Sequence, residues 1–245
     1  MSKLPEISVI VPVMNEAGNI KPLIEGIVSA FSGRKIEIIY VNDASTDDTY
    51  AELVAEKAQH RCLRVITHSR RSGQSAALRT GVLAARADRI ATLDGDGQNL
   101  PADLVTLETA WQSEKTAFGG LVMAAGVRQK RQDSLGKRVA SRWAKRIRTW
   151  MLKDQHPDSG CGIKVFDREL FLRLPYFNHI HRFMPALAIR EGAIVLAVPV
   201  GHAARQVGTS KYRILDRLVV GITDILGVLW LIRRSPKSLK SEELE

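Results

Sequence analysis

From Ile7 onward the chain alternates short β-branched runs with stretches of helical periodicity. Ile7-Ser8-Val9-Ile10-Val11 reads as a first strand, and Ile20, Leu23, Ile24, Ile27 and Val28 fall on one face of a helix running to Phe31. Ile36 to Val41 predicts a second strand. Ser45 with Asp48 three positions on resembles a capping box, which predicts a helix from there to about Gln59. Leu63 to Thr67, a helix from about Gly73 to Ala85, and Arg89 to Leu93 continue the alternation. Pro101 then sits where another helix, to about Trp111, begins. Strands and helices taken in turn are the mark of a parallel sheet with crossover helices.

The second half is less regular. Strands are expected at Leu121 to Ala125, Ile163 to Phe166 and Val195 to Val200. Residues 126–153 hold ten Lys or Arg against one acidic residue, with Leu135, Val139, Trp143, Ile147 and Met151 at every fourth position. That pattern predicts a basic amphipathic helix over 134–153. The longest apolar stretch, Leu218 to Ile232, is interrupted by Asp224 and falls short of the roughly twenty uninterrupted apolar residues of a bilayer span. With Asp216 and Arg217 ahead of it and Arg233-Arg234 at its end, it is expected to lie in a membrane interface. No signal peptide is expected, since the apolar run from Ile7 to Val13 is short and leads into Asn15-Glu16.

Length and composition narrow the class. A chain of 245 residues, 45% hydrophobic and 25% charged, fits one large α/β unit with a C-terminal appendage and excludes global disorder. The 36 Lys and Arg against 26 Asp and Glu leave a formal charge of +10, which favours anionic partners: phosphates, nucleic acid or an acidic membrane surface. Nucleic acid is disfavoured, because aromatic residues are only 6% and acidic strand ends repel a phosphate backbone. Cys62 and Cys161 are too few for a disulfide framework and lack the spacing of a zinc site, which points to a reducing, cytosolic setting.

The sharpest chemical signal is Asp94-Gly95-Asp96-Gly97-Gln98, directly after the apolar run Ile90 to Leu93. In an open parallel sheet, ligands bind beyond the carboxyl ends of the strands. In an extended segment Asp94, Asp96 and Gln98 share one side, and hard oxygen ligands of this kind suit Mg²⁺ or Mn²⁺ bridging a diphosphate. The plainer reading is a glycine-rich turn capping the next helix. Asn42-Asp43-Ala44-Ser45-Thr46-Asp47 ends the second strand and Met14-Asn15-Glu16 the first, so three strands bring oxygen-rich side chains to one edge. Such acceptors suit the base and ribose of a nucleoside, whereas a dinucleotide is disfavoured because no G-x-G-x-x-G follows the first strand. Arg70-Arg71-Ser72-Gly73-Gln74 fits a plain loop ahead of a helix. Cys161 fits a small buried residue in a tight turn, and His181 and His202 fit packing or hydrogen-bonding roles rather than metal ligation.

These motifs together, Val11-Pro12-Val13-Met14-Asn15-Glu16, Asn42 to Asp47, Gly73 and Asp94 to Gln98, resemble the family 2 glycosyltransferases of the GT-A fold. Gly126-Val127-Arg128, Asp158-Ser159-Gly160-Cys161-Gly162, His181-Arg182-Phe183 and the string from His202 to Tyr212 are similar to polyprenyl-phosphate sugar synthases of the dolichol-phosphate mannose synthase type. The resemblance implies an α/β, Rossmann-like GT-A domain over 1–213, with a mixed, mostly parallel sheet and helices on both faces. Its nucleotide part is expected at about 5–125, its acceptor part at 126–213, and a membrane-associating amphipathic segment with a polar tail at 214–245. The implied reaction moves a sugar, with inversion, from a nucleotide donor of the GDP-mannose or UDP-hexose type to a polyprenyl phosphate. Other members of the wider family act on carbohydrate or protein hydroxyls.

By that resemblance Pro12, Glu16, Asp43, Asp94 and Gly95 line the nucleotide pocket, and Asp94, Asp96 and Gln98 hold Mg²⁺ or Mn²⁺. Asp96, Arg128, Arg205 and Lys211 carry the chemistry, and Arg128, Lys137, Arg138 and Ser141 hold the acceptor phosphate. Asp158 is a candidate for orienting the sugar. The setting implied is the cytoplasmic face of an anionic membrane, with a separate membrane-embedded partner in some relatives.

Overall fold

The computed structural model describes residues 4–129, 156–203 and 214–234, and for 214–221 the backbone course alone. Seven strands make one sheet: β1 (Ile7–Val13), β2 (Ile36–Asn42), β3 (Leu63–Thr67), β4 (Arg89–Thr92), β5 (Val122–Arg128), β6 (Lys164–Asp167) and β7 (Ile194–Val200). Their spatial order is β3-β2-β1-β4-β6-β5-β7. All neighbours are parallel except β6, which runs antiparallel to both β4 and β5. The first two strands pair from Ile7 opposite Ile36 to Val13 opposite Asn42, so their carboxyl ends finish level.

Helices cover both faces, which is why the central strands are mostly apolar on both sides, their few polar residues, such as Ser8, Glu37 and Thr92, being buried. α1 (Ile20–Ala30), α2 (Thr49–Gln59) and α4 (Ala102–Phe118) pack against Val9, Val11, Ile38 and Tyr40. α3 (Gln74–Ala84), α5 (Arg168–Arg173), α6 (Met184–Arg190) and α7 (Ile214–Arg233) cover the opposite face, against Ile10, Ile39, Val41 and Phe166. α7 seats Ile225, Val228, Leu229 and Ile232 on that layer. Its Ile222, Leu226 and Trp230, four residues apart, stay exposed. Among the described residues no helix is long and apolar enough to cross a membrane.

The expected α/β architecture with a mostly parallel sheet and helices on both faces is therefore present, with strand and helix positions close to those predicted for the first half. The second helix departs from expectation. It begins at Thr49, and Ser45 makes no capping contact with it. The Ser45 hydroxyl instead accepts from the Asn15 backbone N–H at 3.0 Å, joining two loops. α4 runs on to Phe118, ended by Gly119 in the left-handed region (φ 66°), which terminates helices readily because it has no Cβ to clash. α5, α6 and the 3-10 turn Ile180–Arg182 have no counterpart in the periodicity. Each is too short to complete two turns, and Met184 to Ala188 are buried together, so α6 shows no polar face. The basic helix expected over 134–153 lies outside the described residues.

Candidate active site

The chain leaves β1 toward β2 and β3 on one side and returns through β4 on the other, so the carboxyl ends of β1 and β4 flank the point where strand order reverses. At such a point the loops diverge and leave a crevice. Because β6 is antiparallel, its amino end, with Cys161 and Gly162 just ahead of it, arrives at the same edge.

The loops after β1 and β2 are stitched to each other. The Thr46 backbone N–H donates to Asn15 Oδ1 at 2.8 Å, Glu16 N–H to Thr49 Oγ1 at 2.8 Å, Ala17 N–H to Asp47 Oδ2 at 3.3 Å and Gly18 N–H to Glu52 Oε1 at 2.9 Å. Backbone donors just ahead of α1 are thus satisfied by side chains from the next loop and the first turn of α2, which fixes the cradle before any ligand arrives. Glu16 accepts from Asn19 Nδ2 at 3.1 Å. Asp43 is buried, and its carboxylate accepts from the backbone N–H of Ser72 at 2.8 Å and of Gly73 at 2.7 Å, with His68 Nδ1 also 2.8 Å away. The Arg70–Gly73 loop is therefore anchored on Asp43.

Asp94, Gly95, Asp96 and Gln98 follow β4 as a turn rather than as the extended segment expected. Gly97 has φ 71°, and Gln98 N–H donates back to Asp96 Oδ1 at 3.2 Å. Gly95 is buried against β1, where a Cβ would lie 3.2 Å from the Pro12 carbonyl oxygen, so Pro12 and Gly95 do meet. Asp94 accepts from Gln74 Nε2 at 2.9 Å and Asn99 Nδ2 at 3.5 Å. Burial and the nearby Asp96 charge push the Asp94 carboxyl above its ordinary range. Two carboxylates brought together this way, one disfavoured as an anion, fit a divalent cation. Among the described residues no group of three or more His, Cys, Asp or Glu could hold a metal unaided, so the pair needs further oxygens, as phosphate supplies to Mg²⁺.

Arg128, at the end of β5, grips Asp158: Nε donates to Oδ2 at 2.7 Å and Nη2 to Oδ1 at 2.8 Å. Asp158 is thus engaged in holding an arginine. Two contributors went unforeseen. Gly162 packs so closely that a Cβ there would overlap the Asp94 carboxylate. Lys164 is 3% exposed, donates from Nζ to the Cys161 carbonyl, and lies within electrostatic reach of Asp94, Asp158 and Arg128. Burial lowers the proton affinity of its ammonium, while Asp94 and Asp158 oppose that. Its signal was available as the one cation in the run Ile163-Lys164-Val165-Phe166. His181 takes the hydrogen-bonding role expected of it, its Nδ1 lying 2.9 Å from Ser75 Oγ. Cys161 is buried, and burial raises its thiol, in keeping with a packing role. Arg205, Lys211, Lys137, Arg138 and Ser141 lie outside the described residues.

Residues 8–174 match the model of glycosyl transferase family 2. The chain is 31% identical over 236 residues to a dodecaprenyl-phosphate galacturonate synthase of Rhizobium johnstonii, covering 93% of this chain and 68% of the relative. It is 30% identical over 213 residues to an undecaprenyl-phosphate 4-deoxy-4-formamido-L-arabinose transferase of Edwardsiella ictaluri, covering 85% and 63%. The chain thus spans about two-thirds of the length of these relatives. A structure of glucosyl-3-phosphoglycerate synthase from Mycobacterium tuberculosis, in complex with Mn²⁺, UDP and glucosyl-3-phosphoglycerate, superposes with a TM-score of 0.66 over 96% of this chain and 82% of its own, at 21% identity. That likeness speaks to the fold, while the family match and the relatives speak to ancestry. The chain belongs to glycosyl transferase family 2.

Proposed function

We propose that this chain transfers a sugar from a nucleotide donor of the GDP-mannose or UDP-hexose type to a polyprenyl phosphate. The observation that carries the reading is the Asp94/Asp96 pair at the carboxyl end of β4, beside Arg128 at the end of β5. The names of the two curated relatives, each a sugar transferase acting with a polyprenyl phosphate, support the acceptor.

Along the crevice, Pro12, Glu16, Asp43 and Gly95 line the nucleoside end, and Asp94, Asp96 and Gln98 hold Mg²⁺ or Mn²⁺ against the diphosphate. Solved structures of similar fold contain Mn²⁺ or Mg²⁺ with UDP. Bound there, the ion supplies positive charge to the departing nucleoside diphosphate. A phosphate acceptor with a second pKa of about 6 is already an anionic nucleophile at neutral pH, so no general base is required. The protein must then hold two anions side by side. Arg128 commits Nε and Nη2 to Asp158, which aims the remaining guanidinium donors as a unit. Arg205, Lys211, Lys137, Arg138 and Ser141 complete the anion-binding set. The exposed stripe Ile222, Leu226 and Trp230, with Arg233 and Arg234 at its end, favours work at an anionic cytoplasmic membrane face, directly or beside a membrane-embedded partner.

The deciding experiment offers a panel of nucleotide sugars with a short polyprenyl phosphate and Mn²⁺ or Mg²⁺, and weighs the lipid product by mass spectrometry. A glycosylated lipid phosphate is expected, and its loss on adding chelator supports the metal. Sugar transfer to a carbohydrate or peptide hydroxyl, with none to the lipid, would overturn the acceptor assignment.

A further inference from the structure

Ser75 sits in the first turn of α3, 1% exposed, and its one hydrogen bond among the described residues joins His181 Nδ1 at 2.9 Å. A buried hydroxyl needs an acceptor for its hydrogen, and Nδ1 is the one at hand among the described residues, so we assign Ser75 as donor and the ring hydrogen to Nε2. His181 is half-buried, and its Nε2 meets no acceptor among the described residues. Burial foremost, aided by the charges of Arg182 and Lys164, brings its pKa down to about 3, so the ring stays neutral.

The position of this N–H follows from the sheet. Asp43 follows β2, Glu16 lies beyond β1, Asp94 beyond β4 and Lys164 opens β6, in that spatial order. A nucleotide sugar laid with its nucleoside toward β2 and its diphosphate at Asp94 carries its sugar toward β6. His181 lies on that side. It feels the Lys164 charge, and its partner Ser75 follows Gln74, which reaches Asp94. A neutral N–H donor suits the uncharged oxygens of a sugar, whereas a diphosphate calls for cations.

We infer that His181 donates a hydrogen bond from Nε2 to an oxygen of the donor's sugar, with Ser75 as the positioning residue that fixes the tautomer. This rests on the donor-binding reading above. No proton is transferred; the contact selects and orients the sugar.

The test measures calorimetric binding of UDP-glucose, UDP-galacturonate and GDP-mannose, with UDP and GDP as controls, all with Mn²⁺. The wild type is compared with His181→Leu, His181→Gln and Ser75→Ala. For the nucleotide sugar that binds, His181→Leu is expected to weaken affinity by about five- to tenfold, the range of one neutral hydrogen bond, and to leave the bare diphosphate unchanged. His181→Gln, which keeps an N–H near the same point, restores most of the loss. In wild-type protein, ¹⁵N imidazole resonances should show a neutral Nε2–H ring down to about pH 4, and Ser75→Ala should mix the tautomers. Equal loss for sugar nucleotide and bare diphosphate, no loss at all, or an Nδ1–H ring in the wild type overturns the inference while leaving donor binding intact. Failure of the wild type to bind any of these nucleotides overturns the donor reading itself, and this inference with it.

Discussion

Asp94 concentrates the tension of the site in one side chain. Its folded-state pKa is raised, so the folded protein binds that proton more tightly than the unfolded chain does, and the ionised form costs stability once pH exceeds the ordinary carboxylate range. Asp94→Asn should therefore raise the metal-free melting temperature at pH 7, by about 1–3 °C for a chain of this length, while removing Mn²⁺-dependent nucleotide binding. Scanning calorimetry and nucleotide titration check the two halves, and a lower melting temperature would contradict the electrostatic account. Gly162→Ala should displace the Asp94 carboxylate, because its Cβ needs the same space, and cut turnover at least tenfold with a near-native circular dichroism spectrum. Unchanged activity in that variant would mean the close packing is irrelevant to the site. Asp94 and Asp96 were legible in the sequence because they follow an apolar strand. The closeness of Gly162 and Lys164 to Asp94 was not, because a strand from the far half of the chain must pair with β4 before they meet it, although Lys164 stood out as a lone cation in an apolar run.

At the scale of elements, α4 is fixed to the sheet by its apolar face, Leu104, Leu107 and Trp111, and by one buried carboxylate. Glu108 accepts from Arg34 Nη1 at 2.5 Å and Nη2 at 2.7 Å, and also from Arg89, whose guanidinium stacks 4.3 Å over the Trp111 ring. Burial alone would raise the Glu108 pKa, but the Arg34 and Arg89 hydrogen bonds outweigh it and hold the group below its ordinary range. A folded pKa below the unfolded one contributes stability above that value and loses it as pH falls through the folded pKa. Glu108→Ala should cost about 2–3 kcal/mol in urea unfolding at pH 7, because two arginines lose their partner. The gap between variant and wild type should narrow as pH falls below the ordinary carboxylate range. A gap that persists there would mean packing, not charge, dominates. The long elements were readable because their period repeats several times. Ser45 misled for a physical reason: a hydroxyl near a helix start can serve a neighbouring loop as readily as the helix, and only the fold shows that Asn15 lies opposite.

Across the whole molecule, net charge and exposed apolar surface point the same way. Replacing Ile222, Leu226 and Trp230 together by Ser or Gln should leave nucleotide binding and thermal stability nearly unchanged, since all three are more than half exposed. Flotation with anionic liposomes should fall markedly, and high salt should weaken the wild type only in part, because screening spares the apolar contribution. Wild-type protein that fails to float at low salt would exclude direct lipid binding and leave docking to a membrane protein. The antiparallel placement of β6 has a further consequence, in the order of biosynthesis. Strands β1 to β4 can pair and bury their helices once residue 118 has been made, yet β4 stays an open edge until residues 164–167 arrive, and β5 waits longer still for 194–200. Pairings this distant in sequence form slowly, and an unpaired strand is prone to aggregate. A ribosome-bound chain halted at about residue 130 therefore carries Asp43, Asp94 and Arg128 without Gly162 behind them or Asp158 to orient the arginine. Binding competence therefore arises late in synthesis.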